Sequence, residues 1–191
     1  MIKNMDDLKE RIKHVLSQRQ KKALPSNGMV KAAVLLPILE KKGSPFIIFT
    51  KRTESVATHK GEISFPGGLQ EEGDSSLLET ALRESREELG ISQEQVEILG
   101  ELDDTVTRVT NYHLTTFVGA LRTPVHYRIS PVEIERVIEV PLSTLRDPLN
   151  FREETWEFGD ERHIVYFYTY GNDVIWGATA RILKHFLDVI Y

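Results

Sequence analysis

The chain has 191 residues, 40% of them apolar and 28% charged, with no cysteine. That is the size of one domain, or of one domain with a short appendage, and its composition excludes a disordered or collagen-like chain. The missing cysteines exclude disulfide scaffolds, thiolate zinc sites, iron–sulfur clusters and cysteine nucleophiles together, and the net charge of −5 is unevenly placed.

Met5, Leu8, Ile12, Val15 and Leu16 recur every three to four residues, and Asn4 with Asp7 makes a helix start. This predicts an N-terminal helix docked on the body, ended by Pro25-Ser26-Asn27-Gly28, so that residues 1–28 form a helix and linker and 29–191 the main domain. Apolar, β-branched runs follow, separated by turn residues: Ala32–Leu39, Phe46–Thr50, Ile63–Phe65, Val96–Leu102, His113–Leu121, Ile134–Val140 and His163–Tyr170. Two helical patterns interrupt them, Ser76–Leu89 and Ala178–Ile190. Strands outnumber helices without a regular βαβ alternation, which predicts a mixed sheet flanked by helices, an α/β (α+β) fold.

Residues 1–31 carry eight Lys/Arg against Asp6, Asp7 and Glu10, so the rest of the chain stands at −10. An acidic body disfavours nucleic-acid binding, which rests on neutralising many phosphates, and suits a protein that holds divalent cations. No apolar run approaches the roughly 18 residues that span a bilayer. The N-terminus lacks the apolar core of a signal peptide, and its acids argue against a transit peptide. The expectation is a cytoplasmic protein with no membrane or nucleic-acid partner, for which a homodimer stays open.

The chemistry concentrates in Gly61–Gly68 and in the helix that follows. At 100° per residue, Leu78, Ala81, Leu82, Ser85 and Leu89 fall within one arc of about 100°, the buried face. Glu84, Glu87 and Glu88 fall in a second arc, so three carboxylates point into one small volume. The like-charge pair Glu84 and Glu88 is unfavourable unless offset, in part by Arg83, four residues from Glu79 and Glu87, and best by a bound cation. Hard oxygen donors of this kind select Mg²⁺ or Mn²⁺. Paired Gly67-Gly68 lets the main chain approach a ligand closely. It is no P-loop, since Asp74 follows Gly73 where lysine is required.

Together these segments resemble the signature box of the Nudix hydrolases: Gly68, Arg83, Glu84, Glu87, Glu88, Gly90 and Ile91 match it. Asp74 stands where the general box has Glu, one extra residue separates it from Arg83, and Ser85 replaces an apolar residue. The coenzyme A pyrophosphatase branch resembles this chain in the first two. That branch also carries an upstream signature, matched here by Arg52, Gly61, Phe65, Pro66, Gly67 and Gly68, with Ala57 and Thr53 departing from it. Ser130-Pro131-Val132-Glu133, Val140-Pro141-Leu142 and Ile175–Ala180 are similar to it as well.

The resemblance implies a Nudix-like α/β/α sandwich around a mixed central sheet, and divalent-metal-dependent hydrolysis of a diphosphate. Glu84, Glu87 and Glu88 are the implied metal ligands. Glu84, Glu87 or the loop acid Glu133 is the proton acceptor, and Arg83 orients the acids. Arg52, His59, Lys60, Phe65, Gly67 and Gly68 are the implied substrate contacts. For coenzyme A, giving 4′-phosphopantetheine and adenosine 3′,5′-bisphosphate, Arg52 and Lys60 are candidates for the 3′-phosphate, with Arg108 and Arg128 as looser ones. The alternatives are another Nudix diphosphatase, acting on a nucleoside diphosphate sugar, dinucleotide or nucleotide, and a non-catalytic binding module on the same fold. The six histidines show no metal-ligand spacing, and no Gly-x-Ser-x-Gly surrounds Ser64.

Overall fold

The structure, a computed structural model, describes residues 4–25, 28–55, 60–107, 111–159 and 161–191. In chain order the elements are α1 (Met5–Gln18), β1 (Val30–Lys41), β2 (Ser44–Arg52), β3 (Ile63–Ser64), β4 (Gly67–Leu69) and α2 (Leu77–Leu89). Then follow β5 (Val96–Glu101), β6 (Thr105–Val106), β7 (Tyr112–Leu121), β8 (Ile134–Pro141), α3 (Leu142–Leu145), β9 (Phe151–Phe158), β10 (Glu161–Tyr170), β11 (Asp173–Trp176) and α4 (Gly177–Ile190).

β1 is the spine. Its run Ala32–Leu39 is almost wholly buried because it lies inside the sheet and is covered on both faces, which is why it reads as continuously apolar rather than alternating. It pairs in parallel with β7 and antiparallel with β2 and β4. β5 and β6 flank β7, while β3 and β8 flank β2, so the eight strands form the expected mixed sheet.

α2 covers one face through Ala81, which packs with Ala33, Leu35 and Phe117, and through Leu89, which packs with Ile48 and Leu121. α1 and α4 cover the other, in one core with Leu36, Phe49, Leu114 and Val118. The result is an α/β/α sandwich. α1 starts where the sequence places it, with Asn4 Oδ1 accepting the Asp7 N–H at 2.8 Å, and it buries Met5, Leu8, Ile12 and Leu16. Lys9 and Lys13 reach Glu97 at 2.6 and 2.7 Å. Partly exposed pairs of this kind add little energy, so the apolar stripe does the docking.

The structure departs from the sequence reading in the short elements β4, β6 and α3, which were not expected, and in a second sheet. β9, β10 and β11 form a separate antiparallel sheet, and β9 and β11 are absent from the expected strands. β9 reads Phe-Arg-Glu-Glu-Thr-Trp-Glu-Phe, which has no sustained apolar–polar alternation, so the period of a strand does not show in it. Phe151 packs against the main core from this strand, tilted against Tyr166 and Tyr168. No helix among the described residues is long and apolar enough to cross a membrane.

Candidate active site

The candidate site is built where β4 meets α2. Ser76 caps α2 by accepting the Glu79 N–H, and Gly90 closes it in the left-handed region at φ 72°, its N–H bonded to Arg86 O at 2.8 Å. Two of the last carbonyls are taken by the loop before β8: Arg128 N–H donates to Leu89 O at 2.8 Å and Ser130 N–H to Glu88 O at 3.1 Å. A Cβ on Gly90 would stand 2.7 Å from that of Arg128, so the glycine is what lets this loop close on the helix. The loop's far end is tied to Thr53, which bonds Glu133 O through its N–H and Val132 O through its hydroxyl, at 2.9 and 2.8 Å. Glu133 is thereby held across from α2.

The three carboxylates on the site face of α2, Glu84, Glu87 and Glu88, do not share one environment. Glu88 is buried, 2% exposed, with Oε2 lacking any partner and Oε1 3.5 Å from Arg52 Nη1. Burial pushes its pKa up to about 8, reinforced by the charges of Glu84 and Glu133 and opposed by Arg52 and the Gly67 N–H. Glu84 is half-buried and also raised, chiefly by desolvation, with Arg83 opposing and Glu87 and Glu133 adding to the rise. Glu87 lies at the rim, its side chain 52% exposed and bonded to Arg83 Nη1 at 3.1 Å.

Arg83 is the hub. Its Nε and Nη2 grip Asp74 Oδ1 and Oδ2 at 3.0 and 3.1 Å, Nη2 also donates to Leu69 O, and Nη1 serves Glu84 and Glu87. The guanidinium, with the Thr80 hydroxyl and the Glu71 N–H, holds Asp74 down at about 2. Glu79, spaced in sequence to meet Arg83, instead bonds Ser75 N–H at 2.8 Å, and Asp74 takes its place. Arg83 thus orients acids and strand alike, a supporting role of the kind that ligand carboxylates need.

The other sequence candidates separate. Gly67 and Gly68 pair with Val34 and Ala33, and a Cβ on Gly68 would stand 2.4 Å from Glu84 Oε1. The paired glycines therefore make room for a carboxylate as well as for a ligand. Phe65, an implied substrate contact from the matched signature, is 2% exposed and stacks on Phe49, ring centroids 4.9 Å apart, so its ring lies in the core and not at the surface of the site. Lys60 is exposed on the turn before β3, and Arg128 is exposed with its backbone on the helix end. His59 and Arg108 lie outside the described residues. Thr53 and Ser130, which seat the Glu133 loop, escaped sequence reasoning because both act over long range; Ser130 was signalled only by its place in a matched motif, and Thr53 only as a departure from the upstream signature.

Among the described residues no three His, Asp or Glu side chains converge as a ready-made metal cage. The donors nevertheless fit a hard divalent cation. Glu88 Oε2 is a buried carboxylate oxygen with no partner, Glu84 stands desolvated in the space Gly68 leaves, and both feel Glu133. Glu84 and Glu88 would hold the ion, with Glu87 or Glu133 as the candidate further donor.

The raised Glu88 has a consequence for stability in a chelating buffer. Its folded pKa lies above the ordinary 4.5, so the stability it contributes is complete below pH 4.5 and lost as pH rises through about 8. Wild type is expected to lose a few kcal/mol relative to Glu88→Gln between pH 5 and 8. Asp74 acts oppositely and only as pH falls through about 2. Urea unfolding at several pH values checks this, and parallel curves for the two proteins would refute it.

A mixed sheet is thus clasped between helices, and one arginine locks a carboxylate helix against a glycine-paired strand. The NUDIX domain model matches residues 29–161, and the chain belongs to the Nudix hydrolase family. It is 36% identical over 152 residues to the Nudix hydrolase NudL of Photorhabdus laumondii, covering 80% of each chain. With NudL of Klebsiella pneumoniae the identity is 34% over 186 residues, covering 95% of this chain and 92% of the relative. With the chloroplastic Nudix hydrolase 22 of Arabidopsis thaliana it is 35% over 168 residues, covering 84% of this chain and 55% of that protein. Among solved structures, a MutT/nudix family protein from Enterococcus faecalis superposes with a TM-score of 0.57 at 14% identity, covering 91% of this chain and 66% of that one. A C. elegans Ap4A hydrolase gives 0.50 at 21%, covering 60% and 81%. These two likenesses concern the fold.

Proposed function

We propose that this Nudix hydrolase splits the diphosphate of coenzyme A or its derivatives into 4′-phosphopantetheine and adenosine 3′,5′-bisphosphate, using Mg²⁺ or Mn²⁺. The observation that carries this reading is the meeting of the upstream signature with the acidic helix. Arg52 and Gly67, matched to the coenzyme A branch in sequence, lie against Glu88, and Gly68 lies against Glu84. A cytoplasmic enzyme, alone or as a homodimer, is the setting we propose.

When bound, the cation neutralises the anionic diphosphate and acidifies a water for attack on phosphorus. The chain's own part is positional and acid–base. Arg83 fixes the rotamers of Glu84 and Glu87. Glu133 takes the proton of the water that adds to one phosphorus as the bridging P–O bond breaks and the other phosphate leaves. Its carboxylate has no hydrogen bond among the described residues, and the loop holds it against the helix. Glu84 and Glu87 are the alternative acceptors.

The test is product analysis by mass spectrometry with Mg²⁺ and, separately, coenzyme A, an acyl-coenzyme A, ADP-ribose, NADH, a diadenosine polyphosphate and a nucleoside triphosphate. The expected result is metal-dependent release of 4′-phosphopantetheine with little turnover of the rest. Turnover of another diphosphate alone would discard the coenzyme A reading and keep the acidic helix.

A further inference from the structure

Two buried polar atoms of the site have no partner, and they belong to residues that touch. Arg52 Nε and Glu88 Oε2 are both shielded from solvent without a hydrogen bond, while the contact joining the two side chains, Nη1 to Oε1, is stretched to 3.5 Å. A guanidinium and a carboxylate that satisfy each other do so through two parallel bonds of about 2.8 Å. Arg83 and Asp74, at the same site, come close to that form at 3.0 and 3.1 Å. Arg52 and Glu88 are the opposite case, each with an unmet half. A buried carboxylate oxygen calls for a cation, and a buried guanidinium N–H calls for an anion.

The backbone puts Arg52 there on purpose. The pairing of β2 with β8 shifts register between Lys51 and Arg52, and such irregularities re-aim side chains. The Arg52 N–H is then fixed to Glu62 O at 2.9 Å. Its neighbour Lys51 reaches Glu135 at 3.2 Å, away from Glu88.

We propose that Arg52 is the diphosphate clamp of this site, its guanidinium serving Glu88 when that carboxylate lacks a cation and a phosphate oxygen of the diphosphate when it has one. Its ligand is the diphosphate itself and not the remote 3′-phosphate for which its charge first qualified it. The inference rests on the reading of the site as a metal-dependent diphosphate site, but not on which diphosphate is cleaved. Cation and diphosphate are thereby coupled: Arg52 opposes a cation bound alone and favours the two together.

The test separates binding from turnover. Mn²⁺ alone, and then methylenediphosphonate in the presence of Mn²⁺, are titrated calorimetrically into wild type, Arg52→Gln and Arg52→Lys. Arg52→Gln is expected to bind Mn²⁺ alone at least as tightly as wild type and to lose about tenfold or more in diphosphonate affinity. Arg52→Lys keeps the Mn²⁺ affinity and recovers only part of the loss, since an ammonium supplies a point charge without the fork. Weaker binding of Mn²⁺ alone in either variant would overturn the proposal, making Arg52 a support for Glu88. So would unchanged diphosphonate binding. If circular dichroism shows Arg52→Gln to be unfolded, Arg52→Lys decides alone. These shifts in an enzyme that ignores coenzyme A would refute the substrate reading and leave the clamp standing.

Discussion

Glu88→Gln is expected to lower metal-dependent turnover by about three orders of magnitude or more while the fold is kept. Glutamine preserves the shape of a side chain that is 2% exposed, and it removes the one buried carboxylate oxygen of the site that has no protein partner. With that donor lost, the α2 carboxylates remaining at the site are Glu84, already bonded to Arg83, and Glu87 at the rim, since Glu79 is turned to Ser75. Neither can take over a buried ligand position without breaking the Arg83 hub. The fold should even gain at neutral pH, because a neutral amide replaces a group that resists ionising there. Steady-state kinetics with Mg²⁺, beside a melting curve, checks both halves. A variant retaining more than about a tenth of wild-type turnover would remove Glu88 from the ligand set.

Gly67→Ala is expected to cost the fold itself about 3 kcal/mol or more. Its Cβ would stand 2.3 Å from Ala33 O and 2.7 Å from Val34 Cα, both main-chain atoms of the central strand, at a φ of 155°. No rotamer change relieves a clash between backbones. β4 would have to leave β1, breaking the pairing of Val34, Ala33 and Ala32 with Gly67, Gly68 and Leu69, which also carries the oxygen that Arg83 grips. For a chain of this size the melting temperature should fall by about 10 °C. Gly73→Ala, where a Cβ meets nothing within 4 Å, is the matched control and should melt near wild type. A Gly67→Ala protein melting within about 2 °C of the control would show that β4 is free to move.

Much of this was legible in the residues. The stripe of α1, the buried face of α2 with Ser85 bonding Ala81 O at 2.7 Å, and most strands of the mixed sheet follow from spacing alone. Spacing also placed three glutamates on one side of α2, but it could not grade them. Glu84, Glu87 and Glu88 differ because β4, the Glu133 loop and Arg52 close over Glu88 and not over Glu87, and none of those is near α2 in sequence. The burial of Phe65 was hidden for the same reason: its place in a matched motif says nothing about where its ring packs.

The sequence by itself determined which faces are apolar, where α2 begins and ends, and that a carboxylate-rich helix follows a paired-glycine turn. These are local properties, set by side-chain identity at the period of one element and by caps three or four residues away. Only the tertiary structure decided that Asp74 and not Glu79 receives Arg83, that β9 and β11 complete a second sheet, and that Arg52 meets Glu88 from 36 residues away. Those outcomes depend on strand register and on loops closing across the sheet. Their energy comes from pairs of groups that are neighbours only after the chain has packed, so no period along the chain records them.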